Sequence, residues 1–130
     1  MVADFLMNTL LHIAAFFAFA VGIAHSWLGE RYILGRLFRR NDLPKLFGGT
    51  EFTTRTLRFA WHVTTLAWWG FAAILVLLAQ QSFSFERLSL VVAVTFLLTA
   101  VLTAVVSRGQ HLAWPVFLFI GSVALGAALT

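Results

Sequence analysis

Four histidines, His12, His25, His62 and His111, are the side chains best able to do chemistry in this 130-residue chain. A neutral imidazole offers one good ligand nitrogen, and imidazoles are scarce in hydrocarbon. The chain has no cysteine, which removes thiolate ligands, disulfides and thiol redox chemistry. None of its five acidic residues lies deep in an apolar stretch, which disfavours a cation-coupled transporter or a carboxylate proton relay. No Walker, Rossmann or Ser-His-Asp pattern is present. The chemistry therefore turns on the histidines and on the elements that position them.

Those elements are set by an apolar composition. Hydrophobic residues make up 61% of the chain and charged residues 11%, with 14 Phe and 5 Trp. Soluble domains average about 45–50% apolar and about 25% charged. Such a sequence predicts an all-α integral membrane protein, one domain over 1–130. The uncharged stretches at about 5–28, 59–79, 88–106 and 112–129 predict four transmembrane helices in an up-and-down bundle. The first stretch is too long for a signal-peptide core and predicts a retained helix.

Charge gives the direction. Arg31, Arg36, Arg39, Arg40, Lys45, Arg55, Arg58 and Arg108 fall on one side, and only Arg87 on the other. The positive-inside rule makes the first side cytoplasmic, with both termini outside, as in a bacterial inner membrane. Because these residues flank spans, they predict contact with anionic headgroups and argue against nucleic acid. The cytoplasmic segment 29–55 carries an amphipathic stretch, Trp27 to Phe38, that predicts a short helix lying on the membrane surface. Gly29 and Gly35 weaken it, Asn41 to Pro44 and Gly48-Gly49 predict turns, and Thr50 or Thr53 is placed to cap the next helix.

With this orientation His25, His62 and His111 each lie within about one helical turn, roughly 5 Å, of the cytoplasmic boundary. His12 lies nearer the outer side. Ala14, Ala18, Gly22 and His25 form one stripe, and Arg58, His62, Thr65 and Trp69 share one face of the second span. A third line follows His111, Trp114, Leu118 and Ser122, while Thr95, Thr99, Thr103 and Ser107 run along the third span.

Two cofactors fit such a layer. A b-type haem would take axial imidazoles from two helices, with Arg58 pairing a propionate. A single Zn, Cu or Fe ion would take His25, His62 and His111, with Glu30 as a fourth ligand if Gly29 redirects it. Either cofactor predicts a redox, electron-transfer or sensing role, with a quinone or a partner membrane subunit. A metal-dependent enzyme acting on a lipid-soluble substrate is the related expectation. The competing class needs no cofactor: a homo-oligomeric pore, transporter or assembly subunit, with Gly121, Ala124 and Ala128 at a helix interface.

Overall fold

The computed structural model describes residues 1–40 and 42–130; Asn41, the start of the expected turn, lies outside the described residues. Among the described residues there are four helices and no strand beyond an isolated Leu46–Gly49 bridge. The first, α1, spans Val2–Leu37, 36 residues and about 54 Å long. The others are α2 (Glu51–Ala79), α3 (Phe85–Ser107) and α4 (Ala113–Ala128). The first three are long and apolar enough to cross a membrane. With 16 residues, α4 reaches about 24 Å, short of the roughly 30 Å hydrocarbon core.

The surface helix expected between the first two spans is absent. Trp27 to Leu37 continues α1, because Gly29 and Gly35 both keep right-handed helical backbone angles. Instead of breaking, the helix widens to a π-helix over Gly29–Leu34, where the Gly35 N–H reaches back to the Glu30 carbonyl. Single π-turns of this kind often sit at functional positions. Thr50 is the N-cap of α2 but makes no side-chain cap bond, and the Thr53 hydroxyl donates to the Pro44 carbonyl at 2.9 Å. Ser84 does cap α3, accepting the Arg87 N–H at 3.2 Å.

The helices form an open row. Each packs on its neighbour in sequence, but α1 makes no close backbone approach to α3 or α4, and none joins α2 to α4. A closed bundle would need the first and last helices to meet. The tightest seam is between α3 and α4, where Ala93, Ala100 and Gly121 are buried. A Cβ on Gly121 would lie 2.8 Å from Leu97 Cγ and 2.9 Å from the Leu97 backbone nitrogen. Backbone cannot swing aside as a side chain can. Gly121→Ala should therefore destabilise the protein by about 1–3 kcal/mol in a mixed-micelle unfolding titration. Gly126→Ala is the matched control, since nothing lies within 4 Å of a Cβ there; it should be neutral or slightly stabilising.

Candidate functional site

The α1–α2 seam is the polar one. Gly22, Ser26 and Glu30, four residues apart, line one face of α1. Against them, running antiparallel, stand Trp69, Thr65, His62 and Arg58 of α2. Small residues make the approach possible: a Cβ on Gly22 would lie 2.6 Å from Trp69 Nε1, and one on Gly29 would enter the Trp61 indole. Close approach then brings the polar groups within bonding distance.

A connected chain of hydrogen bonds runs along this seam. Arg58 Nη2 donates to Glu30 Oε1 at 2.7 Å, and Arg58 Nε to Glu30 Oε2 at 3.3 Å. His62 Nε2 lies 3.3 Å from Glu30 Oε2, and His62 Nδ1 lies 2.8 Å from Ser26 Oγ. Ser26 Oγ is also 2.7 Å from Thr65 Oγ1, which reaches the Gly22 carbonyl at 3.2 Å. The Arg58 guanidinium lies 5.0 Å from the Phe38 ring centre, a cation–π contact at the outer end of the chain. Exposure falls along it, from 42% for the Glu30 side chain to 24% for His62 and 4% for Thr65.

The three expected ligand histidines do not share a point. His25 is turned from His62 and stacks on Trp61, with ring centres 4.4 Å apart and planes within 2°. Its Nε2–H donates to the Trp61 carbonyl at 3.3 Å, while Trp61 Nε1 donates to the His25 carbonyl at 3.0 Å. His111 packs against Phe59 and Phe52, and its Nδ1 accepts the Ala113 N–H at 3.2 Å. Among the described residues no three His, Cys, Asp or Glu side chains are grouped to hold a metal ion. An indole fills the space beside His25 that a porphyrin ring would need. In this arrangement His25, His62 and His111 do not meet around a shared ion. Arg58, expected beside a propionate, is taken by Glu30, and Glu30 faces His62 and not His25.

A Ser-His-Glu constellation is present that sequence motifs did not reveal. Ser26, His62 and Glu30 have the order of a nucleophile, base and acid. Acyl transfer also needs free donors aimed at a developing oxyanion. Here Ser26 sits within a continuous helix whose backbone N–H groups are bonded, and the Trp61 N–H is committed to His25. The constellation suits proton exchange better than nucleophilic attack. Neither Ser26 nor its bond to His62 was anticipated. The signal that could have found them is the pairing of Gly22, Ser26 and Glu30 with Thr65, His62 and Arg58 as complementary stripes.

No protein family, curated protein or solved structure matches this chain.

Proposed function

We propose that this is a proton-responsive sensor of the cytoplasmic membrane, with His62 as the responding group and four spans, both termini outside, α4 being brought to span length by its apolar flanks Leu112 and Leu129. The carrying observation is that both His62 nitrogens are engaged within one continuous hydrogen-bond chain, Glu30–His62–Ser26–Thr65–Gly22. That chain admits two proton arrangements on the same heavy atoms. With His62 neutral, Nε2–H donates to Glu30, Ser26 donates to Nδ1, and Thr65 donates to Ser26. With His62 protonated, Nδ1–H donates to Ser26, Ser26 donates to Thr65, and Thr65 donates to the Gly22 carbonyl.

The second arrangement joins the helices by one more bond, worth about 0.5–1.5 kcal/mol. Protonation thus tightens the α1–α2 clasp. The charged groups facing His62 are Glu30 from α1 and Arg58 from α2. Both are part-exposed, which supports access from the basic end. Inward the chain stops at the Gly22 carbonyl, about 12 Å from Glu30 along the helix. A dead end favours sensing over conduction. Arg31, Arg36, Arg39, Lys45 and Arg108, for which no ion pair is found among the described residues, suit the anionic lipid on that side.

The test is a spin-label distance between the outer faces of α1 and α2 in nanodiscs, across roughly pH 5 to 8. Wild-type protein should show a narrower distance distribution at low pH, and His62→Gln should remove the pH dependence. An equal response in His62→Gln, or none in wild type, would overturn the proposal.

A further inference from the structure

We infer that a trough on one membrane face of α2 binds a neutral lipid-soluble aromatic alcohol of the hydroquinone class, with its hydroxyl on His12. Because α1 and α3 flank α2 without meeting, the surface of α2 between them is left as a concave floor. On the α1 side this is a groove of about 400 Å³ whose walls include His12, Phe16, Phe19, Trp69 and Ala73. It adjoins a second groove of about 280 Å³ on the α3 side, and the two share Trp69 and Ala73.

Chemistry narrows the occupant. The His12 Nδ1–H donates to the Asn8 carbonyl at 2.8 Å, which fixes the neutral tautomer and leaves Nε2 as an acceptor. The only other polar wall atom, Trp69 Nε1, is committed to the Phe19 carbonyl at 3.1 Å. A ligand head must therefore donate a hydrogen bond. No charged side chain lines the groove, so the ligand is neutral. Phe19 and Trp69, whose rings stack on one another 5.0 Å apart, put aromatic surface in the groove wall, which suits an aromatic ligand over a plain acyl chain.

Depth agrees with this. Gly29 meets Trp61 and Phe19 meets Trp69, so His12 lies level with the last turn of α2. A polar head there sits at the membrane boundary, and an apolar body extends toward Trp69 at mid-depth. This site does not involve His62 or its hydrogen-bond chain.

The experiment measures equilibrium binding of a short-chain alkyl hydroquinone and of its dimethyl ether to the protein in phosphatidylcholine nanodiscs, kept anaerobic. The hydroquinone should bind saturably, and the ether, which has no donor, about tenfold more weakly. His12→Phe should lower hydroquinone affinity to that of the ether, and Ala73→Phe, which fills the floor, should abolish saturable binding of both. Circular dichroism establishes that each variant is folded. Equal affinity for hydroquinone and ether, no change in His12→Phe, or no saturable binding to wild type would each overturn the inference.

Discussion

Gly29→Ala should weaken the α1–α2 seam by roughly 3–5 kcal/mol, a large effect for a single methyl group. The added carbon would overlap the Trp61 indole, which cannot retreat cheaply. That ring is pinned by its N–H bond to the His25 carbonyl and by its stack on the His25 imidazole. Displacing it combines overpacking, about 1–3 kcal/mol, with loss of a hydrogen bond and an aromatic contact of about 1 kcal/mol each. The measurement is a double-mutant cycle in bicelles. Trp61→Val alone should also destabilise, but Gly29→Ala on that background should cost much less than in wild type. Full additivity would show that glycine is not there to admit the indole.

The second expected result concerns Ser26, the hub between the two helices. Ser26→Ala removes bonds of 2.8 Å to His62 and 2.7 Å to Thr65, for a loss of about 1–3 kcal/mol. Thr65 keeps the Gly22 carbonyl as an acceptor, so the damage falls mainly on His62 Nδ1. The α1–α2 distance should also stop following pH, because protonation of His62 no longer reaches α1 through the Ser26 hydroxyl. Thr64→Ala is the comparison. Its hydroxyl donates to the Ala60 carbonyl of its own helix, so stability and pH response should stay within about 0.5 kcal/mol and unchanged, respectively. A pH response that survives in Ser26→Ala would remove Ser26 from the switch.

Much of the helical content was legible because uncharged runs of about twenty residues have few other solutions. Arrangement was harder. Short connections indicate which helices are neighbours, but nothing in a short loop says whether a row closes on itself. Depth was also easier to read than direction. His25, His62 and His111 can be ranked by distance from the basic boundary, yet their azimuth depends on partners such as Trp61 and Phe59. Counted along the sequence, Glu30 is measured against His25, five residues earlier. Its true companion on α1 is Ser26, one turn back, and its partners lie on α2. Ser26 itself carries no signal in isolation, since serine is common in membrane helices and acquires meaning only when Thr65 and His62 face it.

The open row also bears on how the chain matures. Every helix–helix seam joins segments adjacent in the sequence, so contact order is low and no seam waits for a distant partner. The first hairpin can zip shut from its loop, Glu30 and Arg58 pairing first, before the last two helices join it. Folding in such a protein proceeds pairwise from the amino terminus. A released fragment ending soon after Gln81 should already hold its hairpin.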